Sequence, residues 1–274
     1  ALPATAVITK KVIMQGDMRE EDMEFQVESE ANQYIPFPLD EVNIDFQVIG
    51  AAPSNPDEVE VLIAASRKEK IEDRVAAAEG AGLKVAIVDV ESYATEAAFA
   101  LAATELPKSG KGQTVMVVDV GNVMTNVYVF HDGQLVHSRE QAFGGYQLTL
   151  EIQRRFGVSA EEAEIAKRNG GLPDSYESEV LQPFVGSLTQ EVVRSLQFFT
   201  NSTQYNKVEH ILLAGGCASI TGLAALVQEK TQANTVIANP FSRMTVNSRL
   251  KQQQVIADAL ALMIACGLAM RRFD

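Results

Sequence analysis

TVMVVDVGNVMTN, residues 114–126, is the stretch on which the fold turns. Its first six residues, TVMVVD, form an unbroken apolar run ending on Asp119, the pattern of a strand buried on both faces. Gly121, Asn122 and Thr125 then bring the small and polar residue types of a tight connection. Beyond it, residues 127–131 read as a second strand, Asp132-Gly133 as a hairpin turn and residues 134–139 as a third strand. Gly144-Gly145 opens a helix running through Phe156, residues 160–168 form a short charged helix, and a long helix covers residues 177–202. VEHILLA, residues 208–214, is a buried strand running into Gly215-Gly216. A helix over 221–229, a strand over 235–238 and an apolar C-terminal helix complete this half.

This order of three hairpin-connected strands, then alternating helices and strands, describes a ribonuclease-H-like α/β unit interrupted by a helical insertion. Upstream, residues 6–14 are β-branched and strand-like, and residues 19–34 form a helix stopped by QYIPFP, where each proline restricts its predecessor. Residues 42–48 (VNIDFQV) alternate, Asn55-Pro56-Asp57 reads as a turn, and residues 58–65 (EVEVLIAA) complete a hairpin. A helix over 66–81 is expected to start at a Ser66 cap. Residues 85–90 read as a short strand and 91–104 as an Ala-rich helix, the tail of an equivalent first unit. PKSGKG, residues 107–112, is the clearest boundary by composition.

Bulk properties exclude several classes. The 274 residues carry a net charge of −13, which repels phosphate backbones and anionic headgroups and argues against nucleic acid or direct membrane docking. Two cysteines, Cys217 and Cys266, read as small buried hydrophobes in a reducing compartment rather than a disulfide framework. The opening ALPATAVITKK lacks the apolar core of a signal peptide. The apolar run at 255–270 is shorter than the roughly 20 residues a spanning helix needs, so it reads as a buried core helix. Together these features predict a cytoplasmic protein.

Three constellations can carry chemistry. At Asp119-Val120-Gly121-Asn122-Val123-Met124-Thr125-Asn126, an acid at a strand end precedes a turn with a bare backbone and a hydroxyl. That suits a polyphosphate and its magnesium, though an ordinary hairpin turn has the same composition. At Gly215-Gly216-Cys217-Ala218-Ser219, two glycines after a buried strand let a flat ring lie against the main chain, or simply permit close packing. The third is Glu164 and Lys167, three apart on one helix face, either holding ribose hydroxyls or forming a solvated ion pair.

In this order the three motifs resemble the actin/Hsp70/sugar-kinase ATPase superfamily: a second phosphate motif, a ribose-contacting helix and an adenosine Gly-Gly motif. The family's connecting helix matches Glu91-Ser92-Tyr93-Ala94-Thr95-Glu96-Ala97-Ala98. Within it, residues 31–39 (ANQYIPFPL) and 259–271 (ALALMIACGLAMR) resemble the PilM family of type IV pilus assembly proteins, itself similar to the cell-division protein FtsA. The resemblance covers essentially the whole chain. It implies an α/β actin-like ATPase fold of two ribonuclease-H-like units, the first incomplete, with an FtsA-type 1C subdomain and a helical 2B insertion. The implied subdomains are 1–82 (1C type), 83–112 (remnant of 1A with the connecting helix), 113–156 (2A, first part), 157–206 (2B) and 207–274 (2A, second part, with the C-terminal helix).

Carried over residue by residue, Asp119 is the metal-side acid for ATP or ADP with Mg, through water. Gly121, Asn122 and Thr125 form the phosphate cradle, Glu164 and Lys167 contact ribose, and Gly215, Gly216 and Ser219 flank adenosine. Glu91 stands where relatives position the attacking water. The implied function is that of a nucleotide-binding adaptor in type IV pilus assembly and twitching motility. It would bind the cytoplasmic N-terminal tail of PilN in a groove between 1A and 1C, with self-association as a second contact. That partner would hold it peripherally at the inner membrane.

Two departures limit the transfer. Asn122-Val123 stands where many relatives have a second glycine, and the family's first phosphate motif, an Asp-x-Gly hairpin, is absent. The expectation is therefore weak nucleotide binding and negligible hydrolysis. Two other functions compete: an FtsA-like filament-forming ATPase, and a sugar-kinase-type phosphotransferase. Against the first, the chain ends at Arg271-Arg272-Phe273-Asp274 without a membrane-targeting helix; against the second, it lacks a sugar-facing base.

Overall fold

A computed structural model describes residues 1–53 and 55–271, so the expectation about the chain's last three residues lies outside the described residues. The chain divides into two units, Ala1–Ser92 and Tyr93–Asp274.

In the first unit, period-two alternation produces three antiparallel strands, β1 (Val7–Gln15), β2 (Val42–Ala52) and β3 (Asn55–Arg67), in the order β1-β3-β2. Helix α1 (Glu20–Ala31) buries Met23, Val27 and Ala31, spaced one turn apart, in cores that also contain Met14, Val61, Ile63 and Ala65. Helix α2 (Lys68–Gly80) buries none of its residues.

Three local readings are corrected here. Asn55-Pro56-Asp57 begins β3 rather than forming the turn, because Ala52 already pairs with Asn55. Ser66 does not cap α2; it remains in β3, and its hydroxyl donates to the Ala6 carbonyl at 2.8 Å. Residues 85–90 do not form a strand. A strand exists only against a neighbour, and Val90 alone makes a parallel bridge, to Leu2.

The second unit follows α3 (Glu91–Ala102), whose first turn straddles the division. Its strands are β4 (Thr114–Val120), β5 (Thr125–His131), β6 (Gln134–Gln141), β7 (His210–Ala214) and β8 (Asn234–Ile237), in the order β6-β5-β4-β7-β8. The first three are antiparallel; β7 runs parallel to β4, and β8 to β7. The β5–β6 turn puts both Asp132 (φ 51°) and Gly133 (φ 83°) in the left-handed region, as a two-residue hairpin matched to strand twist requires.

Helices cover both faces, which is why residues 115–118 of β4 are all apolar. Met116, Val118 and Val120 face a core shared with α4 (Gly145–Phe156), α6 (Gln182–Ser202) and α7 (Leu223–Thr231). Val115 and Val117 face the opposite core, with Ala98, Phe99 and Ala102 of α3 and Met263 and Cys266 of α9 (Met263–Ala269). The Phe99 ring stacks on Phe130 at 4.0 Å. Helix α5 (Ala160–Asn169) is capped by Ser159, which accepts from the Glu162 amide, while the Glu162 carboxylate accepts from the Ser159 amide. The long helix opens through a wide π turn at Glu177–Leu181 before α6.

The expected continuous C-terminal helix is instead broken into α8 (Gln252–Asp258) and α9, bent by 100°. The break frees the Leu260 carbonyl to accept from the Gly215 amide at 2.7 Å. No single helix among the described residues is long and apolar enough to cross a membrane. Both cysteines are buried free thiols.

At the crossing of α3 and α9, Gly267 lies so close to α3 that a Cβ would run into the Ala94 carbonyl. Gly186, inside α6, has open space where a Cβ would sit. Gly267→Ala should therefore destabilise the protein by about 2–3 kcal/mol through overpacking. Gly186→Ala should stabilise it by about 0.5–1 kcal/mol through helix propensity. Urea unfolding of the two variants checks the opposite signs.

Candidate functional site

The site grows from the ends of β4 and β7. Parallel pairing sets Asp119 opposite Ala214, so the chain leaving β7 passes Asp119 at its next residue. That residue is Gly215, at φ 81°, a conformation favouring glycine. A Cβ there would lie 2.5 Å from Asp119 Oδ1 and would also collide with the Val120 carbonyl. Gly215 is thus required by packing. Gly216 differs: it is exposed, and a Cβ on it would meet nothing within 4 Å. Ser219 is exposed in the short helical turn that follows, and its hydroxyl donates to the Gly216 carbonyl at 2.8 Å.

The turn after β4 is built from the main chain. The Gly121 amide donates to the Met124 carbonyl at 2.9 Å. The Gly121 and Asn122 carbonyls accept from the amides of Gly145 (3.0 Å) and Tyr146 (2.7 Å), the first residues of α4. The N-terminus of α4 therefore serves the turn itself and is not an open anion site. Gly144 lies under the turn, where a Cβ would stand 2.5 Å from the Asn122 carbonyl oxygen. The backbone amides of Asn122, Val123 and Met124, by contrast, find no acceptor among the described residues. Asn122 and Val123 are exposed, so the turn presents donors outward. Thr125 does not join them: it is 1% exposed, and its hydroxyl donates to the Phe143 carbonyl at 2.7 Å.

Helix α5 brings in the third constellation. Lys167 Nζ donates to the Gly145 carbonyl (3.0 Å), Thr149 Oγ1 (2.8 Å) and Glu164 Oε1 (2.9 Å). Thr149 Oγ1 in turn donates to Glu164 Oε1. The pair is not a solvated surface bridge, since the Lys167 side chain is only 15% exposed against 40% for Glu164. Burial raises the Glu164 pKa, but the Thr149 and Lys167 hydrogen bonds, with the charges of Lys167 and Arg168, hold it below the ordinary value. Cys217 lies beside this group, 3.1 Å from where a Gly145 Cβ would be, and burial pushes its thiol pKa up.

Asp119, Gly121, Asn122, Glu164, Lys167, Gly215, Gly216 and Ser219 thus fall on three segments that meet around α4, through Gly145 and Gly215. Glu91 belongs to the first unit, where its amide donates to the Leu2 carbonyl at 2.9 Å. Sequence reasoning missed Thr149 and the structural use of Gly144 and Gly145. The available signal was the four-residue spacing of Gly145 and Thr149, which puts both on one face of α4. No cluster of three or more potential metal ligands exists among the described residues, so a cation here would depend on one carboxylate and water.

Comparison with known proteins places these features in a family context. A family model described as type IV pilus assembly protein PilM matches residues 1–273. A solved PilM–PilN type IV pilus biogenesis complex aligns with a TM-score of 0.76 and 29% identity, covering 98% of this chain and 77% of that one. The ethanolamine utilization protein EutJ from Carboxydothermus hydrogenoformans shares the fold, with a TM-score of 0.51 and 18% identity over 73% of this chain and 62% of its own. The cell-division protein FtsA of Bacillus subtilis (strain 168) is 26% identical over 207 residues, 67% of this chain and 45% of FtsA. The chain thus spans less than half the length of the curated FtsA relatives it matches.

The lowered Glu164 pKa fixes a pH dependence. A depressed folded pKa contributes stability above the unfolded value, ordinarily 4.5, that is lost as pH falls through the folded value. Melting temperatures of the wild type and Glu164→Gln, measured from neutral pH to about pH 3, should therefore converge as pH falls below this range. A constant gap would contradict the ionised network.

Proposed function

The chain belongs to the type IV pilus assembly protein PilM family, and on that premise we propose that it acts as a nucleotide-binding adaptor in pilus assembly. Its fold is that of the actin-like ATPases. The observation that carries the proposal is the meeting of three sequence-distant segments, around Asp119, Glu164 and Gly215-Gly216.

The residues present fit a nucleotide on two counts. At Gly216 the chain leaves open the space a Cβ would fill, so a flat ring can rest on the main chain. At Asn122, Val123 and Met124, backbone donors without internal acceptors match the oxygens of a polyphosphate. In this proposal Gly215, Gly216 and Ser219 flank adenosine, and Gly121 and Asn122 border the phosphates. Thr125 acts indirectly, by fixing the turn through Phe143. Asp119 holds Mg²⁺ through its water shell. Glu164 and Lys167 form the ribose side. Bound nucleotide would supply charge and a further bridge between these segments, biasing their relative placement.

The solved relative is a PilM–PilN complex, and we extend that partner to this chain, with the cytoplasmic N-terminal tail of PilN as the bound element. An acidic protein of net charge −13 is poorly suited to anionic headgroups, so a membrane-anchored partner accounts for placement at the inner membrane. The subdomain boundaries 1–82, 83–112, 113–156, 157–206 and 207–274 belong to the same proposal.

Titration calorimetry with ATP and Mg²⁺, up to millimolar ligand, tests the site. The wild type should bind. Gly216→Ala, whose added methyl meets no atom of the chain within 4 Å, should weaken binding by about tenfold or more at an unchanged melting temperature. Asp119→Asn should remove the magnesium dependence. A wild-type chain that binds no ATP would overturn the nucleotide assignment, and failure to retain a PilN tail peptide in a pull-down would overturn the partner.

A further inference from the structure

Lys167 is expected to donate to a ribose, yet its three ammonium donors are all taken within the chain. One goes to the Gly145 carbonyl, one to Thr149 Oγ1 and one to Glu164 Oε1. An ammonium has only three donors, so it can meet a ligand only by breaking one of these bonds. The side chain is 15% exposed, which makes an unmet donor costly.

Glu164 is differently placed. Its Oε1 accepts from both Thr149 and Lys167, while no bond from the described residues engages Oε2. Two donors on a single oxygen hold the carboxylate plane in one orientation and leave the other oxygen presented. The Thr149 hydroxyl is the pivot: it donates to Glu164, accepts from Lys167 and is itself 1% exposed. It also lies on α4, whose first amide, that of Gly145, supports the Gly121 carbonyl of the phosphate turn.

We infer that Thr149 is a positioning residue for ribose recognition, aiming Glu164 so that Oε2 alone accepts from a ribose hydroxyl, with Lys167 as a strut that does not touch the ligand. This inference rests on the nucleotide reading of the site and goes beyond it by assigning the sugar specificity. A carboxylate accepting from a sugar hydroxyl discriminates against an analogue that lacks the hydroxyl, because the acceptor, covered by the bound nucleotide, is left unpaired. A valine at position 149 keeps the shape but removes both the donor and the acceptor, so the carboxylate is free to turn.

The test compares ATP, 2′-deoxy-ATP and 3′-deoxy-ATP on the full chain with Mg²⁺. The wild type should prefer ATP over at least one deoxy analogue by about tenfold. In Thr149→Val that ratio should fall towards one, whereas Thr149→Ser, which keeps the hydroxyl, should retain it. If the valine variant does not fold, Thr149→Ala carries the same expectation, since it leaves space rather than a clash. A loss of stability alone would weaken all three ligands equally and leave the ratio intact. ATP binding with an unchanged ratio in Thr149→Val or Thr149→Ala overturns the inference alone, as does a wild type that binds all three ligands equally. A wild type that binds none of them overturns the nucleotide reading and this inference with it.

Discussion

The parallel pairing of β4 with β7 is the constraint on which the site depends. It places Asp119 level with Ala214, so the next residue must pass within contact distance of a carboxylate and a carbonyl. Only a residue without a Cβ, and able to hold φ 81°, passes there. Once Gly215 occupies that position, its amide reaches the Leu260 carbonyl, and the C-terminal segment must break to offer it. The broken helix thus meets a buried amide whose loss of a partner would cost about 1–3 kcal/mol. The strand register, the glycine and the helix break form one arrangement.

A second arrangement sits on the far side of α4. A helix N-terminus ordinarily offers amides to an anion, but here Gly145 and Tyr146 offer theirs to the carbonyls of the preceding turn. The turn then shows its own remaining amides outward. Lys167 closes the network from α5, satisfying the Gly145 carbonyl and the Glu164 carboxylate together. The lysine, whose side chain is the more buried of the two, is tolerable there because all three of its donors are met. The short charged helix is thereby fixed to the turn it would serve, and three turn amides and Glu164 Oε2, which find no partner among the described residues, are left for a ligand to use.

Much of this was legible along the chain. The continuous apolar run of residues 114–118 announced a strand covered on both faces, and Asp132-Gly133 announced a left-handed turn; both hold because they depend on local chemistry. The alternation of strands and helices in the second half followed from the succession of elements, and the actin-like class from the resemblance of the three motifs. What failed locally failed for tertiary reasons. Ser66 has good capping chemistry, but it is still paired in β3 with Val7 and Asn43, and the helix begins beyond it at Lys68. Residues 85–90 have strand composition, yet Leu2 alone pairs there, through Val90. Thr125 looked like a ligand donor until burial against Phe143 committed its hydroxyl.

By itself, the sequence determined the residue types available at each turn, the alternation that makes two cores on one sheet, and the three segments with site chemistry. These are properties of short windows, set by side-chain size, charge and backbone freedom. Only the tertiary structure decided that the three segments meet, that Gly215 and Gly267 exist for backbone contact while Gly216 faces open space, and that Lys167 faces inward. Those outcomes depend on strand register and helix crossings between residues far apart in the chain, and no local window encodes such distances.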